Sequence, residues 1–305
     1  SRTTPRRVLM FRIDSLTGNT QRLDGGAMYG NCPRALWETW SPPDDRHRIL
    51  LACRPFLIRD GTRTVLLEAG IGTFFEPKLQ DRFGVVEKEP LLLQSLASLG
   101  VQPVDIDVIV LSHLHFDHVG GMLTSWQENQ QPELVFPKAT VVVGKKAWER
   151  ALHPHARDRA SFIPRLHELL QATGKLELVE GPHCSALPEN IYEFCYSDGH
   201  TPGLTMTRVR CPRGPLTFVG DLIPGMPWVH LPITMGYDRY PELLIEEKKS
   251  LLDRVIAENG WLLYTHDPHA CASRVRLSEK GKYEAYEAIA TMRWTDSDNP
   301  IERTQ

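Results

Sequence analysis

Three imidazoles and one carboxylate fall within the six residues His113-Leu114-His115-Phe116-Asp117-His118. Nitrogen and oxygen donors of these types suit a divalent metal, Zn²⁺ first, with Fe, Mn and Co also accepting them. The cluster follows directly on the apolar run Val104-Asp105-Ile106-Asp107-Val108-Ile109-Val110-Leu111. A buried strand that ends in such a cluster brings several ligands together at one sheet edge. Three later stretches repeat the pattern of an apolar run followed by a polar donor. His200 sits in Ser197-Asp198-Gly199-His200-Thr201-Pro202-Gly203, Asp221 ends Leu216-Thr217-Phe218-Val219-Gly220-Asp221, and His266 ends Trp261-Leu262-Leu263-Tyr264-Thr265-His266. The sequence contains no Gly-x-Ser-x-Gly elbow and no glycine-rich phosphate loop ahead of a lysine. The expected nucleophile is therefore water, which metal ions acidify to near neutrality.

The elements that must position these residues follow from periodicity. Val8 to Ile13 reads as a short strand, and the Gly-, Pro- and Trp-rich stretch from Gly25 to Pro43 as an irregular excursion. His47 to Ile58 and Thr62 to Leu67 are β-rich runs joined by Asp60-Gly61, a strong hairpin signal. Pro90 to Leu99 has helical spacing and stops at Gly100; the buried strand and the ligand cluster follow, and Gly120-Gly121 permits a tight turn before a short helix. Ala139 to Val143 is a strand, and Lys145 to Leu152 and Phe162 to Ala172 are helices. Strands are expected at Leu176–Val179, Ile191–Tyr196, Leu204–Val209, Leu216–Val219 and Trp261–Thr265, a long helix at Tyr240–Asn259, and a final helix at Ser278–Met292. This order predicts a mixed α/β (α+β) fold, a four-layer αββα sandwich. It is expected as a single domain over 1–305, with an N-terminal excursion over 1–46 and a polar tail over 293–305.

Composition narrows the function class. With 41% hydrophobic and 24% charged residues and a net charge of −3, the chain has no global reason to bind a polyanion, so no nucleic-acid partner is expected. No apolar run approaches 18 residues, so no membrane span is expected. The six cysteines are scattered, with no Cys-x-x-Cys pair, which suits reduced thiols and a cytoplasmic setting.

His113-Leu114-His115-Phe116-Asp117-His118 followed by His200, Asp221 and His266 resembles the signature of the metallo-β-lactamase superfamily. The resemblance spans about Glu68 to His266. It implies a site for two divalent metals, zinc favoured: His113, His115 and His200 on the first, Asp117, His118 and His266 on the second, Asp221 bridging. Glu68 stands where the family usually has an aspartate, and would orient a ligand imidazole. The implied chemistry is hydrolysis by a metal-bridging hydroxide, with Asp117 and Asp221 as the catalytic carboxylates. Asp221 replaces the thiolate ligand of true zinc β-lactamases.

The wording of the cluster and the N-terminal excursion are most similar to the acyl-homoserine-lactone lactonase and methyl-parathion-hydrolase branch. A small, largely apolar lactone or ester substrate follows, with a phosphotriesterase, phosphodiesterase or nuclease of the same fold as the alternative. The lactonases carry a tyrosine three residues after the bridging aspartate, where this chain has Pro224; Tyr237 or Tyr29 would have to replace it. Two Gly- and Pro-rich aromatic stretches are candidate pocket walls, which nominates Met28, Tyr29, Trp37, Trp228, His230 and Tyr237 as substrate contacts. By the same resemblance, the excursion would cover a partner subunit in a homodimer.

Overall fold

The computed structural model of the chain describes residues 11–296. The first part holds β1 (Arg12–Ser15), β2 (Gln21–Asp24), α1 (Gly25–Tyr29), α2 (Arg34–Trp37), β3 (Arg48–Leu51), β4 (Phe56–Arg59) and β5 (Thr64–Leu67). Then come α3 (Pro77–Arg82), α4 (Leu91–Ser98), β6 (Val108–Leu111), α5 (Phe116–Val119), β7 (Thr140–Gly144), α6 (Lys145–Leu152), α7 (Pro164–Ala172) and β8 (Leu176–Val179). The remainder is β9 (Tyr192–Ser197), β10 (Leu204–Val209), β11 (Leu216–Phe218), α8 (Pro241–Ala257), β12 (Trp261–Leu263), β13 (Ala272–Leu277), β14 (Tyr283–Ile289) and β15 (Arg293–Thr295).

These strands form a seven-stranded sheet in the order β15-β1-β4-β5-β6-β7-β8, a six-stranded sheet in the order β14-β13-β12-β11-β10-β9, and a separate β2–β3 ribbon. The two large sheets pack face to face. Ile13, Phe56, Val65, Val108 and Val142 of one interlock with Phe194, Val209, Leu216, Phe218 and Leu263 of the other. On the outer face of the first sheet, α4, α6 and α7 press Leu96, Ala147, Leu166 and Leu170 against Leu66, Ile109 and Val141. On the outer face of the second, α8 packs Leu244, Leu252 and Val255 against Leu204 and Leu262. The expected αββα layering is therefore present. No helix among the described residues is long and apolar enough to cross a membrane. All six cysteines are free; Cys53 and Cys271 are buried and the other four half-buried.

Several local expectations need correction. The excursion contains regular pieces: β2 pairs with β3, and Asp24 Oδ1 caps α1 by accepting from Ala27 N at 2.9 Å. The run His47–Ile58 is two strands in different sheets. The break at 52–55 arises because Ala52 N and Arg54 N leave the ladder and donate to His266 O (3.0 Å) and Thr265 O (2.9 Å). The short helix expected after Gly120-Gly121 lies before them, as α5. A Cβ at Gly120 or Gly121 would stand 2.0 Å from the carbonyl oxygens of Ile71 and Ala69, so these glycines permit close backbone approach. The missed α3 opens on Pro77.

The final helix Ser278–Met292 does not exist. Gly281 turns with φ +73°, Ser278 N donates to Lys282 O at 2.7 Å, and Tyr283–Ile289 returns as β14 against β13. An edge strand in which only Tyr283 is buried tolerates the three-residue spacing that reads as helix in one dimension. The start of the tail is likewise a strand, since β15 pairs with β1. Residues 297–305, and Val8–Met10 of the first strand candidate, lie outside the described residues.

Candidate metal centre

Each site residue stands just past the end of a strand, where the polypeptide leaves the ladder and side chains can turn inward. His113, His115, Asp117 and His118 follow β6, whose four residues are all buried. His200 follows β9, Asp221 follows β11 and His266 follows β12. All seven are buried, 9% exposed at most. The fold brings them into two groups of mutually close donor atoms, one of His113, His115, His200 and Asp221, the other of Asp117, His118 and His266. Asp221 touches both groups. Its Oδ2 lies 3.6 Å from His113 Nε2, 3.0 Å from His118 Nε2 and 3.2 Å from His200 Nε2, and its Oδ1 lies 3.1 Å from His266 Nε2.

The hydrogen bonds on the far sides of the rings decide which nitrogen faces inward. His266 Nδ1 is 2.6 Å from Ala52 O, a carbonyl that only accepts, so that nitrogen carries the proton. His200 Nδ1 lies 2.7 Å from Asp238 Oδ1 and is protonated for the same reason. In the neutral rings each Nε2 then presents a lone pair to Asp221, and His200 Nε2 also faces His115 Nδ1 at 3.3 Å. Acceptors aimed at acceptors in a buried site repel unless a cation or extra protons lie between them. Separations of 3.0–3.6 Å also match the edges of a tetrahedron around a metal bonded at about 2.0–2.1 Å. The donor set therefore fits a divalent metal.

Without a cation, the polar crowd shares protons. Burial and neighbouring positive imidazoles, His200 foremost, push His115 down to about 3. Burial also pulls on His200, but Asp221 and Asp238 outweigh it and lift the ring to about 9. His118 and His266 are raised well above the usual histidine range, since Asp221 overcomes their burial. Asp221 is held well below the carboxylate range by His118, His266 and His200 despite its burial. Metal binding would displace these shared protons.

The metallo-β-lactamase superfamily model matches residues 49–188 of the chain. Over these residues the chain carries a metallo-β-lactamase superfamily domain. The matched stretch includes Glu68 and the His113–His118 cluster, while His200, Asp221 and His266 join it through the tertiary structure. The chain is 27% identical over 132 residues to an N-acyl homoserine lactonase of Bacillus thuringiensis, 43% of either protein's length. It therefore spans less than half the length of that relative. Among solved structures, a "probable metal-dependent hydrolase" from Staphylococcus aureus is 28% identical with a TM-score of 0.79, covering 92% of this chain and 98% of the other. The dizinc quorum-quenching lactonase AidC shares the fold, with a TM-score of 0.67 at 22% identity, 90% and 93% coverage.

Within this metallo-β-lactamase domain, Glu68 adopts a positive φ of +67° at the end of β5. Its Oε1 stands 3.6 Å from His118 Nδ1 and accepts from Ser112 N at 3.3 Å. Of the six candidate substrate contacts, Met28 and Tyr237 line the cavity of about 400 Å³ above the ligands. Tyr29 and Trp37 do not. Tyr29 stacks between Trp37 (5.6 Å) and Trp228 (4.5 Å), and all three rings are buried at 3% exposure or less. Trp228 and His230 line a different cleft, of about 940 Å³, behind that stack. The physical reason is satisfaction: Tyr29 OH meets Ser41 Oγ at 2.7 Å, and Trp228 Nε1 donates to Met28 O at 2.9 Å.

The structure adds site residues that the sequence did not flag. Gln21 Nε2 donates to Asp117 Oδ2 at 2.8 Å, Asp238 holds His200, and Ser112 Oγ lies 2.9 Å from His113 Nδ1. Arg157 and Ser161 line the cavity wall. Arg157 Nη2 donates to Gly236 O at 2.5 Å. None carries a local motif; an isolated Gln or Asp among polar neighbours gives no periodic or spacing signal.

Proposed function

We propose that the chain is a dinuclear metal-dependent hydrolase that cleaves a lactone or other ester bond of a small, largely apolar molecule. The observation that carries this reading is the pair of ligand groups sharing Asp221 at the floor of a cavity of about 400 Å³. That size suits a small organic ligand. Its walls include Leu23, Met28, Phe83, Phe116 and Met235, which favour an apolar acyl or alkyl group over a polyanion.

His113, His115 and His200 would hold one metal, Asp117, His118 and His266 the other, and Asp221 both. Bound divalent metals supply a water nucleophile at neutral pH and polarise the scissile carbonyl. Asp117, at the cavity wall, would accept the proton shed by the attacking water and return it to the leaving oxygen. Tyr237 takes the place of the tyrosine that the lactonases carry near Pro224. The residue is 43% exposed, and partial desolvation lifts its hydroxyl to about 12, so it stays protonated and can donate to the oxygen that gains charge. Phe116, Leu23 and Met235 would exclude bulk water from the bond being cleaved.

The test is a substrate panel on zinc-, manganese- and iron-loaded protein: N-acyl homoserine lactones, aryl esters, phosphotriesters and bis-p-nitrophenyl phosphate. Turnover of lactones or aryl esters supports the proposal. Cleavage of the phosphodiester alone, or of none of them by protein with two metals bound, overturns it.

A further inference from the structure

Gln21 is fully buried, yet it belongs to neither large sheet and lies outside the stretch that the superfamily model matches. It sits at the start of β2, whose alternation sends Gln21 and Leu23 toward the ligands and their cavity while Arg22 lines the outer cleft. Gln21 Nε2 donates to Asp117 Oδ2 at 2.8 Å. Its Oε1 is buried without a hydrogen-bond partner. Flipping the amide would set Oε1 against the carboxylate, so the assignment of the two atoms stands on electrostatics. A buried amide with an orphaned acceptor is costly, and such a cost calls for a function served by the other half of the group.

The strand opposite makes a second contact with the same ligand group. Gln21 pairs in register with Leu51 of β3, and the next residue, Ala52, accepts from His266 Nδ1 at 2.6 Å. Ala52 N donates in turn to His266 O at 3.0 Å. Asp117 Oδ2 and His266 Nε2 lie 3.3 Å apart, so one small ribbon grips two neighbouring members of the group formed by Asp117, His118 and His266. The other group is braced from elsewhere: Ser112 holds His113 and Asp238 holds His200.

We propose that the β2–β3 ribbon is a clamp for the Asp117–His118–His266 metal site, with Gln21 as the residue that positions Asp117. Carboxylates rotate readily about their last bond, and the Gln21 amide removes that freedom before a metal arrives. Partners of this kind typically govern metal affinity by about 10–100-fold. The clamp thus tunes one of two adjacent sites independently of the other. It rests on the two-metal reading given above.

The experiment titrates zinc or cobalt into metal-free protein against a chromophoric chelator, so it needs no substrate. Wild type should take two equivalents, with the two steps assigned by His115→Ala and His118→Ala. Gln21→Met, which keeps the volume and removes the donor, should weaken the His118 step by about 10–100-fold and leave the His115 step within about threefold. Gln21→Glu, an isosteric acceptor facing Asp117, should not rescue it. Asp238→Asn should show the reverse selectivity, weakening the His115 step. Gln21→Asn, whose amide ends one methylene short of Asp117, repeats the measurement should Gln21→Met unfold, which circular dichroism of the metal-free protein checks. A single equivalent in wild type overturns both the two-metal reading and the clamp. Two equivalents with both steps equally changed, or neither changed, by the Gln21 variants overturn the clamp alone.

Discussion

The ligand cluster and the Tyr29–Trp37–Trp228 stack are both buried, both held by residues far apart in sequence, and both rich in the side chains that make pockets. They differ in how their polar atoms are satisfied. In the stack, the Tyr29 hydroxyl and the Trp228 indole nitrogen each meet a partner, and the rings lie 4.5–5.6 Å apart. In the cluster, the outward-facing nitrogens of His200 and His266 are tied down while their inward-facing ones converge on Asp221. Aromatic burial with the Tyr29 and Trp228 polar atoms answered is architecture; buried lone pairs converging on a carboxylate are a site.

Replacing His113 by alanine should lower kcat/KM on the best ester or lactone by about 10³-fold or more, the scale of losing a main charge-stabilising element. It should also remove at least one metal equivalent, counted by elemental analysis; full activity with one metal fewer would sink the hydrolase mechanism. The stack should respond in the opposite way. Tyr29→Ala should cost about 3–5 kcal/mol of unfolding free energy by denaturant titration, with metal stoichiometry unchanged. If it instead abolished metal binding while stability held, the division between the two regions would be wrong.

Tyr237 sits between the two cases, since it lines the cavity yet belongs to no ligand group. Tyr237→Phe should reduce kcat by about 10–100-fold with KM and metal content little changed, if its hydroxyl meets the developing charge. A change in KM alone would make it a wall residue.

The smallest effect is expected at His167. Its Nε2 is buried without a partner, like a ligand, but it packs against the Trp148 ring at 5.6 Å and no metal group includes it. Burial lowers its pKa from 6.5 to about 4. Between those values the unfolded chain binds more protons than the folded one, so stability rises with pH. Stability supplied by neutral His167 is thus present above about pH 6.5 and lost as pH falls through about 4. Relative to wild type, His167→Leu should flatten that part of the stability–pH curve. An unchanged curve would show that this ring stays neutral or stays solvated throughout.

The candidate ligand residues were legible because each follows its strand within a few residues. A buried apolar run and the polar donor after it are neighbours in the chain, so periodicity finds both. The same holds for the β4–β5 hairpin, where Asp60 Oδ1 accepts from Thr62 N and Arg63 N at 2.8 and 2.7 Å. The C-terminal strands were not legible, because Tyr283–Ile289 carries helical spacing and only its pairing with β13 makes it extended. Of the aromatic stretches, Met28 and Tyr237 line the cavity while Tyr29, Trp37 and Trp228 do not, because Gly and Pro content suggests a loop but does not say which way a ring points.

By itself, then, the sequence determined the donor set, the order of its parts and the layering of sheets and helices, since these rest on local pattern. Only the tertiary structure decided which second residue holds each ligand. Gln21 reaches Asp117 across 96 positions, Ala52 reaches His266 across 214, and Asp238 reaches His200 across 38. It alone also sorted Met28 and Tyr237 to the cavity and Tyr29, Trp37 and Trp228 to the wall behind it. Hydrogen bonds and packing act on distance in space, and a one-dimensional pattern carries that distance only for residues near each other in the chain.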